Sequence, residues 1–471
     1  MPFARSAQPE SLRALSNLSF TPFWLDDPAR PDPTDPLTRH VTADLAVVGA
    51  GFTGLWTALL AKESHPDWDV VLLERETTAC AASGRNGGFV SASLTHGFEN
   101  GLARWPQDMP RLVALGHRNL DEMEADLKRW DIACDWIRSG ELHVATEPYQ
   151  VEELRQAVEA GRRVGEDVEW LDAEQARRRV CSPTYLGAYL DRNVAMVNPA
   201  QMAWGLRAAC LRMGVRLYEQ TPVLSMRAEK TTVRLHTPHG DVLAARVALA
   251  TNAFPPLLRR LSLYIVPVYD YVLVSEPLSA AQWQEVGWQD REGVGDSGNQ
   301  FHYYRRTADG RILWGGYDAI YYPNNGVGAQ FEVNHESFGR LAEHFFQTFP
   351  QLRGLRFTHA WGGVIDTCSR FSAFWGTALG GRVAYCMGYT GLGVGAARFG
   401  AQVLLDLLER HETERTRLTM TRQKPIPFPP EPFRSWVIHL TRASLDQADR
   451  NEGRRNAWLK LLDALGLGFD S

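Results

Sequence analysis

The sequence predicts a mixed α/β protein, with a Rossmann-like parallel sheet joined to a discontinuous antiparallel sheet, and three observations carry this expectation. An apolar strand at 44–48 passes through glycines 49, 51 and 54 into a helix over 53–63, and a second apolar strand follows at 69–73. That order is a βαβ unit, whose strands must pair in parallel. Residues 264–320 alternate tyrosine and valine with polar positions, as half-buried antiparallel strands do. Near the far end, "YCMGYTGLGVGAARFGAQVLLDLLERH" repeats the order of strand, glycine loop and long helix.

The remaining elements follow in order. Residues 27–38, "DPARPDPTDPLT", are an extended lead-in. A helix over 109–130 precedes a strand at 140–146 and a second helix, "YQVEELRQAVEAGRRVG". "NPAQMAWGLRAACLRMGV" is helical, "RLYEQTPVLSM" a strand, and "TTVRLHTPHGDVLAARVALATNAF" a hairpin closing on a buried strand that returns to the first sheet. A helix at 333–348 precedes the last glycine loop, and the tail from Lys424 is proline-rich and then helical.

Composition excludes several function classes. A net charge of -5 offers no basic field for nucleic acid. The uncharged run 45–61 is shorter than the ~20 apolar residues a membrane span needs and is interrupted by glycines. Six scattered cysteines form no CxxC pair or metal-spaced cluster, and the N-terminus has no apolar signal segment. Reduced thiols and a cytoplasmic location follow as expectations.

Three backbone elements suit a phosphate-bearing cofactor. In G-x-G-x-x-G, Gly49 permits the tight turn, Gly51 admits a pyrophosphate and Gly54 lets helix and strand approach. Phe52 and Thr53 begin the helix whose free N–H groups face the phosphates. Glu74 ends the second strand 20 residues past Gly54, followed by Arg75, where a carboxylate accepts a ribose hydroxyl pair. The short loop Ser83, Gly84, Arg85, Asn86, Gly87 and Gly88 can wrap a pyrophosphate and admit a flat ring, with Arg85 neutralising charge. The third element, residues 388–395, puts Gly391, Leu392, Gly393 and Val394 at a helix N-terminus that stabilises negative charge on a ring.

In this order and spacing, together with "NPAQMAWGLRAACLRMGVRLYEQTPV" and "ATNAF", the motifs resemble the D-amino-acid oxidase-like family of FAD-dependent oxidoreductases across residues 42–410. The resemblance implies FAD, held noncovalently because Cys368 falls several residues beyond the family's attachment position near Trp361. It implies that Val223 meets the adenine and that Thr251 and Asn252 lie in the cofactor site. It also implies a division into an N-terminal segment (1–41), an FAD-binding domain (42–108, 195–260, 355–423), a substrate domain (109–194, 261–354) and a C-terminal tail (424–471).

The implied reaction is hydride loss from the carbon beside nitrogen in a small amine or amino acid, giving an imine that hydrolyses to a carbonyl. Tyr269, Tyr303, Arg305 and Trp361 are the candidate catalytic residues, with Tyr271 and Tyr304 as further pocket walls. Strand alternation requires Tyr303 and Tyr304 to face opposite sides. Arg305 and Arg306 are candidates to clamp a substrate anion, and His96, His302 and His359 to handle protons. None of the five lysines falls in the strands over the ring, so the electron acceptor is oxygen or another species. A 2-hydroxyacid oxidoreductase and a non-enzymatic FAD-binding accessory protein are the competing readings.

Overall fold

The computed structural model describes residues 3–467 and contains two large sheets. In the first, Val41–Val48 is paired in parallel with Val70–Leu73 on one side and Asp241–Leu249 on the other, with Leu45 opposite Val70 and Arg246. Val383–Met387 extends the sheet beyond Asp241–Leu249, and Arg216–Tyr218 extends it beyond Val70–Leu73. Helices Phe52–Ser64, Pro199–Arg212 and Gly393–Glu409 bury their apolar residues with these strands in one core.

The second sheet runs Ile320–Tyr321, Val266–Ser275, Ile312–Gly316, His302–Arg306, Gly293–Asp296, Glu141–Ala145, Gly187–Asp191, Val168–Asp172. Phe357–Thr367 pairs antiparallel with almost the whole of Val266–Ser275. The return to the first sheet therefore comes after Thr367, not at residue 355. Helix Met109–Arg129, placed by the sequence in the substrate domain, packs instead on Gly393–Glu409 of the first layer. There Asn119 Nδ2 donates to the Gly395 carbonyl at 2.9 Å, and Arg398 pairs with Glu122 and Asp126.

Three local expectations also change. The single strand read at "RLYEQTPVLSM" stops at Tyr218, because Glu219 turns inward to accept from Thr34 N, Thr78 N and Arg207. The chain resumes as Ser225–Ala228, which joins the Val233–His236 hairpin. Within 1–41, Pro9–Arg13 is helical and Phe23–Leu25 a single 3-10 turn, so only the proline-rich stretch after them is extended. In the tail, helix Phe433–Asp449 docks on its own chain, where the Asp449 carboxylate accepts from the backbone N–H groups of Asn299 and Gln300.

The βαβ turn is as tight as its glycines suggest. A Cβ on Gly54 would lie 1.8 Å from the Gly49 carbonyl oxygen, a backbone atom that cannot step aside. Gly54→Ala is expected to destabilise the protein by about 3 kcal/mol. Gly214→Ala, with φ +81 and nothing within 4 Å of the added methyl, should cost only about 1 kcal/mol. Denaturant unfolding of the two variants checks the difference.

Candidate active site

One cleft of about 1240 Å³ runs between the two sheets. Drug-sized ligand pockets span roughly 300–1,000 Å³, so this cleft has room for a dinucleotide and a substrate together. Its half nearer the first sheet contains Gly49, Gly51, Phe52, Thr53, Glu74, Arg75, Ser83, Arg85, Asn86, Gly87, Val223, Thr251, Asn252 and Gly391 to Val394. Gly54, Gly84 and Gly88 lie behind this wall. Added methyls there would strike the carbonyls of Gly49, Ala79 and Val197 respectively, so these glycines set the backbone path rather than the lining.

The three elements are tied together by side chains. Ser83 Oγ accepts from Phe52 N–H at 3.0 Å, joining the second loop to the first helix. Thr53 Oγ1 donates to the Tyr389 hydroxyl at 2.8 Å, joining that helix to the last glycine loop. Glu74 accepts from Ala50 N–H at 2.7 Å and Glu76 N–H at 3.0 Å; burial raises its carboxyl above the ordinary value. Gly391, at φ +96 with empty space where a side chain would start, leaves the wall at the Gly393–Glu409 helix open. Residues 82–88 are not simply a loop, since Ala82–Arg85 makes one helical turn. Arg85 is already neutralised by Glu332 at 2.7 Å, and Asn86 spends its amide on Ala82, Ser83 and Gly88.

The substrate half is built by strand alternation. Tyr303, Asp270 and Gly363 line the cleft. Tyr269 and Tyr271 fall on the opposite face of the Val266–Ser275 strand, bonded to Gly328 and Phe331, and Tyr304 bonds to Tyr185. Trp361 and Arg305 are on the cleft side, but the 85–88 segment covers both. Trp361 Nε1 donates to the Arg85 carbonyl and Arg305 Nη1 to those of Gly88 and Val197. Arg306 lies over the Trp283 ring, so neither arginine forms an anion clamp in the cleft. Of the three histidines only His96 lines it. His302 is buried between Asp296 and His344, and His359 bonds to Thr358 and Asp26.

Sequence reasoning missed Asp270 and Asp366. Asp270 Oδ2 accepts from the Tyr303 hydroxyl at 2.5 Å and Oδ1 from Tyr271 N–H at 2.7 Å, while burial pushes its carboxyl up to about 6. The signal was a lone acid inside the apolar run "YIVPVYDYVLVSE". Asp366 Oδ2 accepts from Gly388 N–H at 2.5 Å and so holds the last glycine loop from below.

A glycine-lined dinucleotide cradle facing a sheet with a buried carboxylate defines a flavin oxidoreductase cleft. Residues 44–407 match the family model DAO, FAD dependent oxidoreductase, and the chain belongs to that family. It is 32% identical over 392 residues to γ-glutamylputrescine oxidoreductase of Escherichia coli K12, covering 81% of this chain and 87% of that protein. It is 26% identical over 247 residues to glycine oxidase of Geobacillus kaustophilus, covering 51% of this chain and 63% of that protein. The crystal structure of glycine oxidase from G. kaustophilus shares the fold with a TM-score of 0.67 at 21% identity, covering 81% of this chain and 99% of that one. The protein is an FAD-dependent enzyme.

Removing the Glu74 carboxylate strips one acceptor from the wall of the cleft. Glu74→Ala is expected to weaken FAD binding about 10–100-fold, read as loss of yellow absorbance on dialysis.

Proposed function

We propose that the enzyme oxidises the C–N bond of a small amine, with Asp270 and Tyr303 as the groups that receive and orient it. The Tyr303–Asp270 pair carries this reading. When bound, FAD supplies a two-electron acceptor for the hydride leaving the carbon beside nitrogen.

An ammonium must shed a proton before that carbon can give up hydride. The Asp270 carboxylate is ionised above about pH 6 and faces the cleft, so it can hold that proton. Tyr303 keeps its own proton, because burial beside Asp270 pushes the phenol upward. Its ring is wedged between Gly87 and Gly315, where added methyls would approach within 2.8 and 2.7 Å, which fixes the hydroxyl on Oδ2. Lined by carboxylates and lacking an arginine clamp of the kind Arg305 and Arg306 were to form, this half favours an amine over a 2-hydroxy acid. Val272, Phe89 and Tyr303 present apolar surface that keeps water from the reacting carbon.

Gly49 to Thr53 would cradle the pyrophosphate, Glu74 the ribose, Val223 the adenine and Gly391 to Val394 the ring. The lining thiols support noncovalent attachment, since burial raises Cys80 to about 11 and also raises Cys368 and Cys386. Among the described residues no lysine lines the cleft, so we propose an acceptor that need not be oxygen. All six cysteines are free, in keeping with the cytoplasmic reading, and no helix among the described residues is long and apolar enough to cross a membrane.

Activity requires the ionised form of Asp270, so kcat/KM should fall as pH drops through about 6. Asp270→Asn is expected to lower kcat/KM about 10²–10⁴-fold and abolish that acid limb; an unchanged limb would overturn the assignment. Acid precipitation of the holoenzyme should leave its flavin in the supernatant, and flavin retained on the pellet would mean a covalent link.

A further inference from the structure

Beyond Tyr303, the cleft continues along the second sheet. Tyr303, Gly295, His143 and Tyr189 occupy one row across four hydrogen-bonded strands. Strands lie about 4.8 Å apart, so His143 is roughly 10 Å and Tyr189 roughly 14 Å from Tyr303 along the sheet. Gly295 carries no side chain, and the Glu141 carboxylate lies beside it, its Oε1 3.4 Å from where an added methyl would sit. The trough suits an extended, slender molecule.

Two acids are set against each other in that trough. Glu141 and Asp191 are direct cross-strand partners, an arrangement in which like charges repel. Among the described residues Glu141 accepts no hydrogen bond, and its basic neighbour is His143 Nε2 at 3.8 Å. Burial lowers His143 to about 4 and raises Glu141 to about 8 and Asp191 to about 7, so the three groups stay largely neutral until a cation arrives. Asp191 accepts only from Asn193, on Oδ1. Nearby His117 pairs with Glu166 at 2.8 Å and also draws the Asp191 carboxyl downward.

A second observation points to a ligand. Tyr189 is 7% exposed and lines the cleft, and among the described residues its hydroxyl has no hydrogen-bond partner. Its ring stacks on His143 with centroids 4.4 Å apart, presenting aromatic surface beside the two carboxyls. Aromatic rings beside unpaired carboxylates are a receptor for an ammonium ion, through cation–π attraction and charge-assisted hydrogen bonds. Among the described residues no arginine pairs with Glu141 or Asp191, and Arg192 turns instead to Asp167 and Glu169.

We propose that Glu141, Asp191, Tyr189 and His143 form a cation subsite for the second ammonium of an extended diamine or polyamine, whose other amine lies at Asp270. This rests on the amine-oxidation reading and narrows it to substrates carrying two cationic nitrogens separated by about 10 Å or more. Burial holds both carboxyls above the ordinary carboxylate range while the subsite is empty, and a bound ammonium stabilises their ionised form. A monoamine of equal length gains nothing from it.

The test compares spermidine with octylamine on the holoenzyme, by isothermal titration calorimetry under anaerobic conditions and by the rate of flavin bleaching. Glu141→Gln and Asp191→Asn should each weaken spermidine binding at least tenfold and change octylamine binding less than twofold. Flavin content and unfolding temperature should hold, because an amide of the same shape replaces an acid whose ionisation burial opposes. Equal weakening of both ligands, or of neither, overturns the proposal. A lowered unfolding temperature with unchanged spermidine affinity assigns the acids a structural role and overturns it too. If spermidine binds in the Glu141-dependent manner but no amine bleaches the flavin, the cation subsite is supported and the oxidation reading alone fails.

Discussion

The architecture turns on one close approach, where helix Phe52–Ser64 meets the carbonyl of Gly49 with no room for a side chain at Gly54. That contact aims the helix N-terminus into the cleft. Thr53 then reaches Tyr389, and Phe52 N–H reaches Ser83, so the two later loops are positioned by the first. Fill the Gly54 contact and the helix must lift, carrying the donors of all three elements away from a common ligand.

The second sheet supplies the complementary constraint. Alternation along Val266–Ser275 sends Tyr269 and Tyr271 into the core behind the sheet and Asp270 into the cleft between them. A one-residue change of register would reverse these roles and bury the carboxylate among aromatics. The eleven-residue Phe357–Thr367 partner, paired in register from Thr367 to His359, guards against that slip.

These two constraints explain what the sequence revealed. The cofactor half was legible because backbone geometry leaves its mark in residue type. Gly49, with φ +103, and Gly391, with φ +96, occupy conformations other residues resist. The substrate half was much less legible, because it depends on direction. Tyr303 and Tyr269 look alike in sequence, and only pairing shows that they face opposite ways. Arg305 looked like an anion clamp, yet it is buried beneath a loop more than 200 residues away in sequence, bonded to the Gly88 carbonyl. Asp270 was passed over as one acid among apolar neighbours, although an acid placed there is costly unless it is used.

That cost distinguishes the two halves physically. Gly54 and Gly84 answer to packing, and any substitution that crowds them is penalised whether or not a ligand is present. The carboxyls of Asp270, Glu141 and Asp191 are held where burial opposes their ionisation, with burial raising them to about 6, 8 and 7. A sequence selected for stability alone would place apolar or amide side chains at such positions, since charge removed from water without a partner disfavours the fold. Proteins keep such residues where function needs them. The same low-dielectric surroundings that make these acids unfavourable when empty strengthen their attraction for an incoming cation. Substrate preference thus grows out of the feature that weakens the unliganded chain, and the rigid glycine-built half gives that weakness a scaffold able to carry it.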